Sequence, residues 1–355
     1  MARVVVVGAG MMGTALCTPL ADAGHDVRLV GTPLDDAWVD SMEASLVHPK
    51  LGIPLPSGVL PFHFRELGNA MSDVDIIALG VSSAGVLWAA ATVAPFLRAD
   101  VPVIAVTKGL VETSAGVLRV LPDVFREALP TQLQPLVCPA AIGGPCIAGE
   151  IARRVPTCVV FTGRDPSALR RLADSFATRY YHIRVSTDVM GVEVCAALKN
   201  AYAMAVGIGS GLHERTGGTL GPVAYHNCEA AIFTQACLEM DMLVRALGGD
   251  RSQVPHLAGV GDLFVTCSGG RSSRFGRLLG LGMTCDEARA KMPNDTLECV
   301  DTVRVVGGAL PALIARGCIM ARTLPLMRHL YEVIVENKAL QIPFHRFFGR
   351  VGTNP

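Results

Sequence analysis

The sequence predicts an α/β fold, with an amino-terminal doubly wound sheet carrying helices on both faces and a mostly α-helical second domain behind it. Three observations carry this. Val4-Val5-Val6-Val7 is an unbroken apolar run stopping at Gly8, the pattern of a strand covered on both faces. Strand-like runs then alternate with helical patterns, which implies a parallel sheet. Beyond about Asp188 the β-branched runs thin out and long Ala- and Gly-rich apolar segments take over. A chain of 355 residues has room for two domains, each with its own core. The boundary is placed near residue 186, dividing 1–186 from 187–355.

The elements follow in order. Val4–Val7 is a strand, Met11–Ala23 a helix closed by Gly24, and His25–Val30 the next strand. After a polar, Pro-containing stretch from Gly31 to Pro61, strands are expected at Val74–Leu79, Val101–Val106 and Leu136–Ala141. Val159–Phe161 and His182–Val185 read as the last strands, with Pro166–Thr178 a helix between them. The uncharged run Ile76–Leu97 is long enough to span a bilayer, but it holds Gly80, Ser82, Ser83, Gly85, Thr92 and Pro95. Strand, polar turn and buried helix fit it better, so no membrane span is expected. Val189–Gly209, Tyr225–Leu247, Ser273–Leu281 and Thr302–Ala315 read as helices, and the tail Gly349–Pro355 as loosely ordered.

Composition excludes several function classes. The chain is 50% hydrophobic and 17% charged, with 31 Lys+Arg against 31 Asp+Glu, so it is neither disordered nor built to bind nucleic acid. Its 11 cysteines are odd in number and form no Cys-x-x-Cys pair, which argues against a zinc site or a disulfide scaffold. His213 and His226 lack a recognised ligand spacing, and no metal is expected. The amino terminus lacks the three-part pattern of a signal peptide. A reduced, cytoplasmic protein is expected, and the apolar helices of the carboxyl half suit a homodimer.

Gly8-Ala9-Gly10-Met11-Met12-Gly13 is Gly-x-Gly-x-x-Gly set directly after a strand and at a helix start. In that context the glycines permit a tight turn and close approach of a pyrophosphate to the backbone, and the helix amino terminus attracts its charge. This is the Rossmann-type arrangement, and residues 1–186 are accordingly the dinucleotide-binding domain. The second strand ends Val30-Gly31-Thr32, with Asp35 and Asp36 displaced beyond it. No acid stands ready for an NAD ribose, and no obvious cation for a 2′-phosphate. NAD and NADP both stay open, with a slight lean to NADP because a repulsive acid is missing.

Two lysines stand out. Lys108, in Val106-Thr107-Lys108-Gly109, follows a buried strand; there it either holds an anionic or carbonyl oxygen or is a solvated loop lysine. Lys199, in Ala197-Leu198-Lys199-Asn200, lies in an apolar helix, where it either faces a closed cleft as an acid/base group or snorkels to water. Gly261-Asp262-Leu263 offers a carboxylate that orients a lysine or caps a turn. Arg271, in Gly270-Arg271-Ser272, clamps a substrate anion or lies in a solvated loop.

Taken together, the glycine loop, Val81-Ser82-Ser83, Thr107-Lys108-Gly109, Gly144-Pro145, Ala197-Leu198-Lys199-Asn200, Gly261-Asp262-Leu263, Thr266-Cys267 and Arg271 resemble the NAD(P)-dependent glycerol-3-phosphate dehydrogenases in order and spacing. The resemblance covers about residues 2 to 340. It implies hydride transfer between NAD(P) and the secondary alcohol or ketone of a small anionic substrate, glycerol 3-phosphate and dihydroxyacetone phosphate first. It implies catalytic roles for Lys199, as proton donor and acceptor, and for Lys108 and Asp262. Lys108, Asn200, Thr266, Arg271 and Ser272 fall on the substrate side. Gly8, Ala9, Gly10, Met11, Met12, Gly13, Thr32, Ser82 and Glu298 fall on the cofactor side.

Departures from the family pattern concern the substrate. Ser272 stands where the family carries asparagine, and a hydroxyl lacks the reach and the two donors of an amide. Gly149 replaces a family lysine, and the stretch from Ser210 to Asn227, with His213, Glu214, Arg215 and His226, reads as a Gly-rich insertion able to reshape the pocket. A sister dehydrogenase of another polyol phosphate or hydroxy acid, and a non-catalytic NAD(P)-binding sensor, are the alternatives.

Overall fold

The computed structural model describes residues 1–220, 226–293 and 295–347, the side chains of 218–220 excepted. Its main sheet is built from β1 (Arg3–Val7), β2 (Asp26–Val30), β3 (Leu60–Phe62), β4 (Ile76–Leu79), β5 (Val103–Ala105), β6 (Ala140–Gly143), β7 (Thr157–Thr162) and β8 (Tyr181–Ser186). The spatial order is β8-β7-β6-β5-β4-β1-β2-β3, so the chain leaves β1 in both directions and the order reverses between β1 and β4. Ligands of such sheets sit beyond the carboxyl strand ends at that reversal.

The valine run forms β1 because both of its faces are covered. Val4 and Val6 pack with Leu16 and Leu20 of α1 (Met11–Asp22) and with Leu169 and Leu172 of α5 (Pro166–Phe176). Val5 and Val7 pack with Val86 and Ala90 of α3 (Val86–Val93) and Leu121 and Phe125 of α4 (Leu121–Ala128). A further helix of this half, α2 (Asp36–Ser45), follows β2. A fully buried valine is worth roughly 1.5 to 3 kcal/mol over an exposed one, so a charge placed in this run would cost the sheet its centre.

One strand departs from the expected parallel pattern. β7 runs antiparallel to β6, while β8 returns parallel to β7 through α5. The link from β6 to β7 holds one helix of four residues, Ala148–Ile151, so the chain doubles back instead of crossing over a face.

Two units emerge, one of residues 1–108 with 120–192, the other of 109–119 with the described residues from 193 on. The later division falls between Val192 and Glu193, inside α6 (Val189–Leu220). Residues 109–119 form a hairpin, Leu110–Glu112 with Leu118–Val120, that belongs almost wholly to the second unit. It is held there by Arg316, whose guanidinium donates to the Gly116 carbonyl at 2.6 Å.

The second unit is helical: α6, α7 (His226–Ala246), α8 (Asp262–Cys267), α9 (Arg271–Gly280), α10 (Cys285–Ala290), α11 (Glu298–Ala315) and α12 (Pro325–Ile334). The expected insertion is helical as far as it is described, since α6 runs on through residue 220 and Glu214 pairs with Arg277 of α9. Tyr225 and the tail Gly349–Pro355 lie outside the described residues. By length and composition α6 could cross a membrane, but 83% of its apolar window is buried within the protein, as in a core helix. It packs on α9 through interleaved glycines. A Cβ on Gly207 or Gly211 would overlap the carbonyls of Ser273 or Arg277, and one on Gly276 or Gly280 those of Met204 or Ile208. The two backbones therefore touch, and the start of α9 is drawn against the middle of α6.

Candidate active site

In the first unit a candidate cofactor seat lies where β1 ends. Gly8 has φ +112°, a conformation that favours glycine. A Cβ there would stand 2.8 Å from the carbonyl carbon of Gly80, and one on Gly80 would stand 2.7 Å from the Cα of Gly13. Three backbones thus meet at the α1 amino terminus. Gly10 caps α1 with extended backbone, and a Cβ built on it would meet nothing within 4 Å. That open cradle, facing the first amides of a 12-residue helix, fits a dinucleotide pyrophosphate. Gly80 was not singled out as a site residue from sequence, although its place at the end of β4 marked it as a second glycine at the same edge.

The two acids after β2 both have partners within the protein. Asp35 is buried, and its Oδ2 accepts from the Ala9 amide at 3.2 Å and from the Thr32 amide and hydroxyl at 2.8 Å each. Asp36 accepts from or pairs with the His63 ring at 3.0 Å. Asp40 and Glu43 flank the same ring, and hydrogen bonding to Asp36 pushes its pKa above the ordinary histidine value. Further along the sheet edge Thr107 donates to the Val81 carbonyl at 2.6 Å, Lys108 Nζ to the Gly144 carbonyl at 3.0 Å, and exposed Ser82 opens the turn Ser83–Gly85. Lys108 is thus half-buried against backbone oxygen, not solvated in a loop.

In the second unit the site is a polar cluster in an apolar setting. Lys199 projects from α6 and its Nζ donates to Asp262 Oδ1 at 2.5 Å; the lysine side chain is 13% exposed and the aspartate 0%. Asp262 is delivered by a π-turn, Leu257–Gly261, that runs directly into α8. Thr266 donates to the Asp262 carbonyl at 2.6 Å. Asn200 Nδ2 donates to Glu298 Oε2 at 3.0 Å, and Ser272 approaches Asn200 Oδ1 at 3.5 Å. Glu298 opens α11, and Thr302 one turn later donates to its carbonyl at 2.8 Å. Arg271 is the first residue of α9 and, among the described residues, enters no ion pair.

Nearby thiols are quiet. Burial pushes the Cys267 and Cys299 thiols up to about 12, so both stay protonated at neutral pH and are poor nucleophiles. The structure therefore brings Lys199, Asn200, Asp262, Thr266, Ser272 and Glu298 into one cluster, and the glycine loop, Thr32, Ser82 and Lys108 onto the edge of the sheet. Sequence reading missed Asp35 as a partner of the loop and the helix-to-helix glycines that seat Ser272 beside Asn200.

A glycine loop at the reversal of a doubly wound sheet, with a buried lysine–aspartate pair on a helical second unit, defines a nicotinamide-dependent oxidoreductase acting on a CH–OH group. The chain belongs to the NAD-dependent glycerol-3-phosphate dehydrogenase family, whose amino-terminal model matches residues 3–169 and whose carboxyl-terminal model matches 188–344. It is 38% identical over 289 residues, 81% of this chain and 83% of the relative, to the NADP(+)-dependent glycerol-3-phosphate dehydrogenase of Archaeoglobus fulgidus. It is 31% identical over 355 residues to the glycerol-3-phosphate dehydrogenase [NAD(P)+] of Bacillus cereus, covering 99% of this chain and 96% of the relative. The solved glycerol-3-phosphate dehydrogenase of Coxiella burnetii superposes with TM-score 0.79 at 28% identity, covering 95% of this chain and 96% of that one. The Plasmodium falciparum structure, at TM-score 0.83 and 18% identity, shares the fold.

Proposed function

We propose that this enzyme interconverts dihydroxyacetone phosphate and glycerol 3-phosphate, with Lys199 as the proton donor and acceptor. The observation that carries the reading is the Lys199–Asp262 pair, an ammonium almost withdrawn from water on a fully buried carboxylate. When bound, the nicotinamide cofactor supplies or accepts the hydride at the carbonyl carbon. Lys199 gives its proton to the carbonyl oxygen as that hydride arrives and takes it back in alcohol oxidation. Without the proton the product would be an alkoxide, and positioned acid catalysis is worth roughly 10² to 10⁴ in rate. Asp262 fixes the direction of the ammonium, and Glu298 fixes the Asn200 amide. Lys108 stabilises developing oxygen charge, and Arg271 takes the phosphate of the substrate.

The slight preference for NADP is part of the proposal. Asp35 and Asp36, the acids after β2, are engaged by Ala9, Thr32 and His63, which leaves the ribose end without the carboxylate that selects NAD. The NADP(+)-dependent relative from Archaeoglobus fulgidus supports the same direction. A cytoplasmic location is supported by all 11 cysteines being free thiols. A homodimer is supported by Leu238 and Met242, half-exposed one turn apart on α7.

A cofactor-consumption assay with dihydroxyacetone phosphate, related keto phosphates and keto acids, run with NADPH and NADH, tests the reading. Preference for dihydroxyacetone phosphate is expected, and Arg271→Ala should raise its KM while leaving cofactor affinity unchanged. A stronger preference for a non-phosphorylated keto acid would transfer the assignment to a sister dehydrogenase.

A further inference from the structure

We infer that His48 and Asp35 are positioning residues for dinucleotide binding, because they grip the two sides of Ala9 and so set the glycine loop before the cofactor arrives. The inference rests on the reading of Gly8–Gly13 as the pyrophosphate seat.

Ala9 sits between Gly8 and Gly10, residues whose backbones have the widest choice of conformation. Something must restrain such a segment, or its ordering is charged against cofactor affinity. Ala9 is itself fully buried, so water cannot serve its polar groups. Its amide donates to Asp35 Oδ2 at 3.2 Å, and its carbonyl accepts from His48 Nε2 at 3.0 Å and from the Thr14 hydroxyl at 3.3 Å. Asp35 comes from the turn after β2, and His48 from a separate short hairpin, Val47–His48 with Ile53–Pro54.

The chemistry of the imidazole is fully determined by its neighbours. His48 is 0% exposed, and its Nδ1 accepts from the amides of Lys50 at 3.2 Å and Leu51 at 3.1 Å. A nitrogen that accepts two N–H groups carries no hydrogen, so the neutral ring holds its proton on Nε2, facing the Ala9 carbonyl. Burial pushes the ring's pKa below the ordinary histidine value, against the opposing pull of the Ala9 bond, and so favours this form. Trp38 meets the ring edge-on at 5.5 Å and fixes its plane.

The two nitrogens can be removed separately. The side-chain oxygen of asparagine overlays Nδ1, whereas the amide nitrogen of glutamine overlays Nε2. His48→Asn keeps the acceptor for Lys50 and Leu51 and loses the donor to Ala9; His48→Gln does the reverse. The measurements are cofactor Kd by fluorescence titration, KM for dihydroxyacetone phosphate at saturating cofactor, and hydrogen exchange of the segment 5–13 without cofactor. His48→Asn and Asp35→Ala should each raise cofactor Kd about tenfold, the equivalent of one lost buried hydrogen bond. Exchange of segment 5–13 should quicken in both, with substrate KM unchanged, while His48→Gln restores affinity to within about threefold of wild type. Equal affinities for the Asn and Gln variants, or wild-type affinity in a folded His48→Asn, would overturn the inference. In the unaltered protein a long-range proton–nitrogen spectrum should show His48 with hydrogen on Nε2, and hydrogen on Nδ1 would overturn it too. Gly10→Ala separates the two layers. If it binds cofactor normally, the pyrophosphate seat itself is wrong; if it fails to bind while His48→Asn binds normally, only the clamp is wrong.

Discussion

Replacing Gly10 by alanine should abolish tight cofactor binding without harming the fold. Gly10 has φ −69° and ψ 174°, an extended conformation open to any residue, and a Cβ there meets no atom within 4 Å. Removing a glycine from the unfolded chain stabilises by about 0.4 to 1 kcal/mol when the native conformation suits alanine. At roughly 2 to 4 °C per kcal/mol, the melting temperature should hold or rise slightly. The same methyl group stands where a diphosphate must approach the backbone, so cofactor affinity should fall by at least about tenfold, or 1.4 kcal/mol. Gly13 provides the contrast. A Cβ there overlaps the Gly8 carbonyl oxygen and lies 3.2 Å from its carbon, and backbone cannot rotate aside. Overpacking of that kind costs about 1 to 3 kcal/mol or more, so Gly13→Ala should melt lower even with no ligand present. Thermal melts without cofactor, paired with fluorescence titration by NADPH and NADH, read both effects. Wild-type affinity in Gly10→Ala, or a melting temperature as depressed as that of Gly13→Ala, would refute the placement of the pyrophosphate.

Lys199→Ala should destabilise the protein by about 3 to 5 kcal/mol in urea melts, because Asp262 is 0% exposed and loses its ammonium partner. Lys199→Met combined with Asp262→Asn should recover most of that loss, and equal stabilities for the single and double variants would contradict the buried pairing. Burial pushes the Glu239 carboxyl up to about 7, although Gln235, Tyr202 and the amides of Leu326 and Met327 all donate to it. Its folded pKa thus lies above the ordinary 4.5, so its contribution is full below pH 4.5 and is lost as pH rises through 7, by about 3 kcal/mol. Glu239→Gln should flatten the stability profile between pH 5 and 7, and an unchanged slope would place the titrating group elsewhere. Gly276→Ala should cost about 1 to 3 kcal/mol or more by forcing α9 off the Met204 carbonyl, whereas Gly217→Ala, with open space around it, should stabilise α6 by up to about 1 kcal/mol. Matching melts for the two variants would contradict the backbone contact.

Local rules made much of the fold legible. An uninterrupted valine run suits a strand buried on two faces, and a glycine loop directly behind it and at a helix start suits the sheet's crevice. Strand ends shifted mostly by a residue or two, and by four where the strand expected from Leu136 begins at Ala140, because register partners and not propensity decide where a ladder stops. What pattern could not reveal was the effect of chain reversals and distant contacts. β7 gives no sign of its direction, since an antiparallel partner buries the same residues. Residues 109–119 join the second unit through Arg316, 200 positions beyond Gly116 in the chain. Composition likewise could not separate Gly207, Gly211, Gly276 and Gly280, which let helices touch, from glycines in turns. In the site, Lys199 stood out as a lysine in an apolar helix and Asp262 as a carboxylate that orients a lysine or caps a turn, and the structure pairs the two across 63 positions. Asp35, read as displaced beyond the end of the second strand, accepts from the Ala9 amide of the glycine loop.

Proton donation by Lys199 is tested most directly by single-turnover hydride transfer in the Lys199→Met, Asp262→Asn double variant, which removes both buried charges together. With enzyme loaded with reduced cofactor and mixed with dihydroxyacetone phosphate, cofactor affinity should stay at the wild-type value while hydride transfer slows by roughly 10² to 10⁴. Hydride transfer at the wild-type rate in that variant would show that the proton comes from another group.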